Sequence, residues 1–309
     1  PKKNSIDTLA GERLGICVSG GLDSRTITKK LLELGIDVVC FSADLDQPDE
    51  ADVNDIVEKM APCGADTFII DLKDDMAEAC YEVIKTQATY DGGYWNTTGI
   101  ARPITVRSIL ARFKETGVPV LFHGATGRGN DQVRFQLAAN ILDPSLQVYA
   151  PWRDTEFIQQ FPGRQSMIDY CQAEGLPIRP AEEARYSTDA NFLGLTHEAG
   201  DLEKVTVSPD FVEPGMGVWP WDAPEQQALV TVRWEEGVPV ALDGERMDLE
   251  QIFQNANRIA GEHGVGIGTH VVENRFVGVK SRGIYEAPGM ELLGSSYEFL
   301  LQFILDRRA

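Results

Sequence analysis

The sequence predicts an α/β protein in which a domain built on a parallel sheet precedes an α+β domain. Up to residue 122, short apolar runs alternate with helical stretches, which is typical of βαβ units with helices on both faces of a sheet. Between residues 151 and 180, Pro, Gly and aromatic residues interrupt the chain, and a hairpin pattern follows further on. The length of 309 residues is compatible with two domains of roughly 150 residues each. We therefore expect a first domain over 1–160 and a second over 161–309.

Strands separated by helices are predicted throughout the first domain. Residues 14–18 form an apolar run that enters the tight turn Ser19-Gly20-Gly21, so they are predicted as a buried strand. In the next stretch, apolar residues recur at three- and four-residue steps until Gly35, which indicates a helix. The remaining elements are predicted as a strand over 36–42, a helix over 51–60, a strand over 67–70, a helix over 74–86 and a strand over 118–122.

A different pattern marks the second domain. Alternating apolar residues over 229–242 predict a hairpin that turns at Glu235-Glu236-Gly237. Further along, residues 249–263 are predicted as a helix, residues 271–279 as a strand and residues 292–305 as an amphipathic helix.

The charge balance limits the classes of partner. The formal net charge is -20, from 28 basic and 48 acidic residues, whereas nucleic-acid binding relies on clustered basic residues. We therefore expect no nucleic-acid partner. No apolar stretch approaches the ~18 residues of a membrane span, and the N-terminus leads into no apolar region of a signal peptide. Neither a membrane-spanning nor a secreted protein is expected, and a cytoplasmic location is the interpretation that fits.

Cysteines and histidines give no pattern of a metal site. The five cysteines contain no C-x-x-C pair, and the four histidines show no spacing typical of metal ligands. We expect reduced cysteines and no protein-bound metal centre.

The clearest local feature is the hexapeptide Ser19-Gly20-Gly21-Leu22-Asp23-Ser24 between the first strand and the first helix. Two glycines allow a tight turn, and the N–H groups at the helix start then form a cradle for phosphate. No G-K-[ST] sequence follows, so this is not a Walker loop. The alternative is a simple strand-to-helix turn with a capping side chain.

This hexapeptide resembles the loop of the ATP pyrophosphatases, which cleave ATP between its α and β phosphates. Three longer segments narrow the resemblance to the argininosuccinate synthase family. They are HGATGRGNDQVRF over 123–135, the segment over 186–203 that begins YSTDAN, and the segment over 272–289 that contains ENR and KSRGIYEAPG. The likeness runs from about residue 11 to the end, and the Tyr94 and Tyr186 segments look closer to the longer bacterial branch. It implies an ATP pyrophosphatase domain, of the adenine nucleotide alpha hydrolase-like type, followed by a synthetase domain.

The resemblance also implies a reaction. Members of this family join citrulline and aspartate to argininosuccinate through an adenylated citrulline, with release of AMP and pyrophosphate. ATP, with its accompanying Mg2+, would be the cofactor. The alternative is the same chemistry on a different ureido or carbonyl acceptor in specialised biosynthesis. A binding protein without catalysis and a tRNA-modifying enzyme are further alternatives. Retained acidic and basic residues oppose the former, and the net charge with the lack of paired cysteines opposes the latter.

Site residues are carried over from the matching segments. The resemblance implies ATP binding by Cys17, Ser19, Gly20, Gly21, Leu22, Asp23, Ser24, Ala43, Gly124, Thr126, Asp131 and Asp189. It implies aspartate binding by Thr126, Asn130 and Asp131. It implies citrulline binding by Tyr94, Thr98, Asn130, Arg134, Ser187, Thr196, Glu198, Glu273 and Tyr285. The residues expected to act in catalysis are Asp131, Asp23 and Ser19.

Residue chemistry fits these roles, although other interpretations stay open. Asn130 and Arg134 are four residues apart and would share one side of a helix, and acceptor groups suit the uncharged ureido group. Tyr94 and Tyr285 could instead be core aromatics, and Glu273 could belong to a structural ion pair. Ser187 and Asp189 could cap a helix that starts near Asn191. His197 is more readily a hydrogen-bonded structural residue than a general base.

Three residues depart from the family pattern. Arg25 stands where a second small hydroxyl residue is usual, and its charge would either assist pyrophosphate binding or face solvent. Asp46 replaces a glycine, and Arg128 replaces a lysine. An extra carboxylate near a triphosphate is unfavourable unless it binds metal or faces away.

The end of the sequence carries an expectation about assembly. Family members continue into a C-terminal helical arm that reaches a neighbouring subunit, whereas this sequence stops at Ala309. The usual tetramer is therefore in doubt. Because the predicted helix over 292–305 is more apolar than one core-facing stripe requires, we expect a homodimer through that helix.

Overall fold

The computed structural model describes residues 6–9, 11–48, 52–125, 129–177, 185–274 and 278–306. The chain divides into two compact units. The first unit comprises Pro1–Asp44, Ala51–Leu72 and Arg102–Glu182, and the second comprises Leu45–Glu50, Lys73–Ala101 and Glu183–Ala309. The predicted domain boundary near residue 160 stays a prediction.

A parallel sheet forms the centre of the first unit, as predicted. Its described strands are β1 (Arg13–Cys17), β2 (Asp37–Asp44), β3 (Asp66–Asp71), β4 (Val120–His123) and β5 (Gln147–Tyr149). They lie in the order β3-β2-β1-β4-β5, and each neighbouring pair is parallel. The chain winds outward from β1 in one direction and then from β4 in the other. Ligands of such sheets bind at this switch point, beyond the carboxyl ends of the strands.

Helices complete the secondary structure. In chain order they are α1 (Leu22–Glu33), α2 (Asp55–Met60), α3 (Lys73–Thr86), α4 (Thr97–Thr116), α5 (Asn130–Leu142), α6 (Thr155–Gln160), α7 (Arg164–Ala173), α8 (Leu249–Glu262) and α9 (Pro288–Ile304).

Both faces of the parallel sheet are covered. Phe122 packs with Ile27 of α1 in one buried cluster, whereas its neighbour Leu121 packs with Ile109 of α4 and Phe135 of α5 in another. Successive strand residues point to opposite faces, so a strand buried on both sides must be apolar throughout. This explains the continuous apolar runs in the sequence.

Antiparallel sheets characterise the second unit. Strands β6 (Ser187–Asn191), β7 (Gly194–Glu198), β11 (Ile267–Asn274) and β12 (Val279–Glu286) lie in the order β11-β12-β7-β6. A smaller sheet contains β8 (Val232–Glu235), β9 (Val238–Leu242) and β10 (Glu245–Arg246). The pairing of β8 with β9 confirms the predicted hairpin, whose turn residues Glu236 and Gly237 have φ of 52° and 83°.

Two sequence-based expectations for the second unit are wrong. The single strand predicted over 271–279 is replaced by β11 and β12, which pair antiparallel with Asn274 opposite Val279. Gly278 has a φ of 69°, which a continuous strand does not accommodate. The helix considered near Asn191 is also wrong, because residues 187–191 form β6 and pair with β7.

None of the helices in the described part of the chain combines the length and the hydropathy that a membrane span needs.

Candidate functional site

The loop after β1 has the backbone that a phosphate cradle requires. Gly20 has a φ of 69°, and a Cβ built on it would lie 3.2 Å from Cδ of Lys59. A larger residue is therefore disfavoured both by conformation and by space. Gly21 is the N-cap of α1, and the N–H of Ser19 donates to Oγ of Ser24 over 3.1 Å.

Other residues expected to bind ATP follow neighbouring strands. Cys17 at the end of β1 lies beside His123 at the end of β4, so Gly124 and the Ser19–Ser24 loop leave the sheet at adjacent positions. Ala43 lies near the carboxyl end of β2, the strand on the other side of β1. Asp189 is part of β6 in the second unit, and Thr126 lies outside the described residues. In the first unit, the residues expected to bind nucleotide therefore gather at the switch point of the sheet.

Two ionisable groups at this edge have shifted pKa values. Burial raises the pKa of the Cys17 thiol to about 12, with Arg102 acting in the opposite direction, so the thiol stays uncharged. Burial also raises the pKa of Asp23, while its own backbone N–H and Arg164 oppose the change.

Asp131, in the first turn of α5, bridges two guanidinium groups. Its Oδ2 accepts from Nε of Arg102 over 2.8 Å, and its Oδ1 accepts from Nη1 of Arg134 over 2.7 Å. Burial favours the neutral acid, but the charges of Arg102 and Arg134 outweigh it and hold the pKa of Asp131 below its usual value. The carboxylate is therefore ionised and oriented.

Asn130 begins α5 directly before Asp131. Its Oδ1 is buried and has no hydrogen-bond partner within the part of the chain that the structure describes. A buried carbonyl oxygen of this kind normally accepts a hydrogen bond, which suits a residue expected to bind substrate.

His123 is buried between the sheet and α5. Its ring stacks on that of Phe135, with centroids 5.0 Å apart and an angle of 11° between the planes. Burial and, to a smaller extent, Arg153 lower the pKa of His123 to about 4, although Asp131 acts in the opposite direction. The imidazole is therefore neutral at physiological pH.

This shift predicts a loss of stability in acid. The unfolded chain takes up a proton at the ordinary His pKa of about 6.5, whereas the folded chain does so only near 4. The free energy of unfolding therefore decreases as the pH is lowered from about 6.5 towards 4. When the pH is lowered from 7 to 5, we expect the free energy of unfolding of the wild type to fall by about 2 kcal/mol more than that of His123→Phe. Urea unfolding at each pH measures both values. The matched control is His263→Asn, at the end of α8. Equal acid sensitivity of wild type and His123→Phe would contradict the neutral buried imidazole.

In the second unit, aromatic residues form a cluster around Tyr94. The Tyr94 and Tyr285 rings have centroids 4.2 Å apart, and the Tyr94 hydroxyl lies 2.9 Å from Oγ1 of Thr98. The His270 ring completes the cluster, with centroid distances of 5.5 Å to Tyr285 and 6.3 Å to Tyr94. Burial, together with Glu198 and Tyr90, raises the pKa of Tyr285. Both tyrosine side chains are buried, yet their hydroxyls carry hydrogen-bonding capacity.

Strand register places more of the expected residues on one face of the four-stranded sheet. Tyr285 lies opposite Thr196, and Thr196 lies opposite Asp189. Ser187 in β6 pairs with Glu198 in β7, and this pair lies two positions along the strands from the pair of Asp189 with Thr196. Side chains two positions apart on a strand point to the same face, so Ser187 and Glu198 share this face. The Ser187 hydroxyl donates to the Glu198 carbonyl oxygen over 3.1 Å. Glu273 lies in β11 opposite Lys280, and its side chain is outside the described part.

His197 points to the opposite face of that sheet. Its Nε2 lies 2.6 Å from Oε1 of Glu286, and both side chains are 2% exposed. Glu286 also accepts from the N–H groups of Gly215 and Met216 over 2.9 and 2.8 Å. His197 is thus a buried, hydrogen-bonded residue on the face away from Tyr285.

The departures from the family pattern have structural settings. Asp46 has a φ of 48°, in the region that glycine occupies most easily, and its carboxylate accepts from Nε2 of Gln254 over 3.4 Å. Arg25 donates from Nη1 to the carbonyl oxygen of Pro177, so it does not simply extend into solvent. Arg128 lies outside the described residues.

Two residues of these clusters were absent from the sequence-based assignment. Arg102 contacts Asp131 from α4, a helix that was not predicted, and no local motif marks it. His270 lies on the same face of the four-stranded sheet as Tyr285. The alternation of side chains along a strand would have indicated this position if β11 had been predicted with its actual bounds.

Comparison with known proteins identifies the family. Residues 13–177 match the family model described as "Arginosuccinate synthase N-terminal HUP domain", and residues 186–309 match "Arginosuccinate synthase C-terminal domain". The argininosuccinate synthase of Rhodopirellula baltica is 42% identical over 295 residues, which cover 94% of this chain and 72% of that protein. The argininosuccinate synthase of Thermotoga maritima is 37% identical over 303 residues, which cover 96% of this chain and 73% of that protein. The two family matches follow each other along the chain, the first of them covers the domain with the parallel sheet, and the identity to known members is high. The chain therefore belongs to the argininosuccinate synthase family of ligases.

Proposed function

We propose that this chain joins citrulline and aspartate to form argininosuccinate, with ATP converted to AMP and pyrophosphate. The observation that carries the proposal is the loop Ser19–Ser24 at the switch point of the sheet, in a chain of this family. The loop has glycines and a helix N-terminus for phosphate but no Walker lysine. This composition supports cleavage between the α and β phosphates.

The family uses ATP, and the loop fits the pyrophosphate end of that nucleotide. The described residues contain no group of three or more His, Cys, Asp or Glu side chains able to hold a metal ion. Mg2+ commonly binds through substrate phosphates and one or two carboxylates. That arrangement suits Asp23, the carboxylate of the loop, and Mg2+ would neutralise charge on the phosphates.

The proposed reaction has two steps. The ureido oxygen of citrulline attacks the α-phosphorus, and pyrophosphate leaves. The aspartate amine then attacks the ureido carbon of the adenylated citrulline, and AMP leaves with the former ureido oxygen. Positioning and charge stabilisation account for most of such catalysis.

The oriented groups of the first unit suit aspartate and ATP. Asp131 is ionised and can accept from an ammonium group, while Asn130 offers a buried carbonyl oxygen without a described partner. Arg134, which the family resemblance assigns to citrulline, is held by Asp131 and supplies a fixed guanidinium of the kind that binds a carboxylate. In the second unit, the face with Tyr285, Thr196 and Glu198 offers hydroxyls and a carboxylate to the ureido and ammonium groups of citrulline.

Product analysis with a panel of acceptors tests the proposal. The chain is incubated with ATP, aspartate and each of several ureido compounds, and pyrophosphate, orthophosphate and amino-acid products are measured. We expect pyrophosphate and argininosuccinate with citrulline. Pyrophosphate release with another ureido compound but not with citrulline would favour the alternative acceptor, and ADP as the nucleotide product would contradict the proposed chemistry.

The exposed end of α9 supports an assembly prediction. Phe299 and Phe303 are 61% and 77% exposed, and their rings contact each other with centroids 5.3 Å apart. Exposed apolar patches of this kind mark protein interfaces. We expect a two-fold dimer through this patch, and we expect the double variant Phe299→Ser, Phe303→Ser to be monomeric in sedimentation velocity. A wild-type chain that stays monomeric at high concentration would exclude the dimer.

A further inference from the structure

The turn over 90–94, which carries Tyr94, contains two glycines with left-handed backbone conformation. Gly92 and Gly93 have φ of 75° and 95°. The N–H groups of Gly93 and Tyr94 both donate to the Tyr90 carbonyl oxygen, over 3.0 and 2.9 Å. Glycine loses more conformational freedom on folding than other residues do. The turn therefore needs contacts with other elements to hold Tyr94 in one place.

His270 of β11 supplies such a contact. Its imidazole is hydrogen-bonded to the backbone of Asp91 in this turn, and a Cβ built on Gly92 would lie 3.5 Å from its Nδ1. Burial lowers the pKa of His270, although the bond to Asp91 and the charge of Glu291 act in the opposite direction. The ring is therefore neutral at pH 7 and has a single N–H. Because the bond to Asp91 raises the pKa, the ring is its donor and the Asp91 carbonyl oxygen is its acceptor.

The same ring contacts Tyr285 on the other side. His270 lies opposite Gly283 in β12, and a Cβ built on Gly283 would lie 3.0 Å from Cε2 of Tyr285. The Tyr285 ring therefore extends over Gly283, and the imidazole meets it nearly edge-on, with an angle of 78° between the planes. One side chain thus touches both Tyr285 and the turn that carries Tyr94.

We propose that His270 is a positioning residue of the acceptor site, which ties the turn over 90–94 to β11 and so holds the Tyr94 hydroxyl beside Tyr285. The inference rests on the proposed function in taking these tyrosines as part of the citrulline site. A group that recognises a ligand must be held within about 0.5 Å of its productive place. The Tyr94 hydroxyl, 2.9 Å from Oγ1 of Thr98, meets this condition only while the turn is fixed.

Steady-state kinetics of two variants test this role. His270→Phe keeps an aromatic ring but removes the donor, so the KM for citrulline should rise about threefold to twelvefold, the effect of one neutral hydrogen bond. We expect kcat and the KM for aspartate to stay unchanged, because the lost contact positions the acceptor before and during the reaction alike. His270→Asn places an amide N–H near the position of Nδ1, and its KM for citrulline should stay within about twofold of the wild type. The matched control is His263→Phe, at the end of α8, which should behave as the wild type does.

Hydrogen–deuterium exchange of the free chain tests the tether without any substrate. The N–H groups of Gly93 and Tyr94 exchange when the turn opens locally. His270→Phe should accelerate this exchange by about threefold to twelvefold, whereas His270→Asn should leave it unchanged. Urea unfolding of each variant shows whether the fold is intact. His270→Leu, which also lacks the donor, takes the place of His270→Phe if the larger ring is not accommodated.

The positioning role and the proposed function can fail independently. Unchanged exchange of the turn in His270→Phe would overturn the positioning role even if the wild type makes argininosuccinate. An equal rise of the KM for citrulline in His270→Phe and His270→Asn, or an equal rise of the KM for aspartate, would overturn it as well, since the ring would then act through shape or stability alone. Faster exchange in His270→Phe, together with a raised KM for another ureido compound that the wild type uses in place of citrulline, would support the positioning role and reject the proposed acceptor.

Discussion

Replacement of Asp131 by Asn is expected to reduce kcat/KM for argininosuccinate formation at least about a hundredfold, since two charge-assisted hydrogen bonds are weakened at once. The carboxylate bridges Arg102 and Arg134 over 2.8 and 2.7 Å, and these guanidinium groups keep it ionised against the effect of burial. An amide has the same shape but no charge, so it cannot orient both guanidinium groups. Both arginine side chains are partly exposed, so the effect on folding stability is expected to be smaller than that on activity.

The matched control is Asp143→Asn, at the C-terminal end of α5. Asp143 is half-buried, and its carboxylate accepts from the backbone N–H and the hydroxyl of Ser145, so its loss should leave kcat/KM unchanged. Urea unfolding of both variants separates lost chemistry from lost structure. A tenfold change in kcat/KM corresponds to ~1.4 kcal/mol. If Asp131→Asn kept kcat/KM within about threefold of the wild type, the assignment of this residue to the active site would be wrong.

The second large effect is expected for Glu286→Ala, which should lower the free energy of unfolding by about 3–5 kcal/mol. The carboxylate binds His197 and the backbone N–H groups of Gly215 and Met216, and the side chains of both Glu286 and His197 are 2% exposed. Its removal leaves the buried His197 ring and the two backbone N–H groups without this partner, and a buried polar group left unpaired costs about 1–3 kcal/mol.

Urea unfolding of Glu286→Ala and of a surface control measures this effect. Glu262→Gln removes one partner of the exposed pair with Arg258, and we expect a change of about 0–1 kcal/mol. A double-mutant cycle with His197→Phe then isolates the coupling between the two side chains. A destabilisation by Glu286→Ala no larger than that of Glu262→Gln would show that water or other groups replace the carboxylate.

Local signals made the first unit and its loop predictable. Ile16 and Cys17 point to opposite faces of β1 and are both apolar because β1 is buried on both faces, and Gly20 follows the run because the backbone there has a positive φ. Both causes act within a few residues of sequence. The loop and the sheet edge that carries it could therefore be predicted from the sequence.

Pairings between distant segments could not be predicted in this way. Helix α4 has Pro103 in its interior, and proline in a sequence indicates a break, so the helix that carries Arg102 was missed. The contact of Arg102 with Asp131 depends on how α4 packs beside α5, which no periodicity specifies. In the second unit, the predicted strand over 271–279 joined the end of β11 to the start of β12, and which residues of two strands face each other depends on their register. The position of His270 beside Tyr285 followed only from the actual register.

The central claim is ATP-dependent ligation through an adenylated citrulline, and the fate of the ureido oxygen tests it most directly. Citrulline labelled with oxygen-18 in the ureido group is incubated with the chain, ATP and aspartate, and the nucleotide products are analysed by mass spectrometry. We expect argininosuccinate, unlabelled pyrophosphate and AMP that carries the label in its phosphate. Label in orthophosphate with ADP as the nucleotide product, or argininosuccinate formed with unlabelled AMP, would contradict the account.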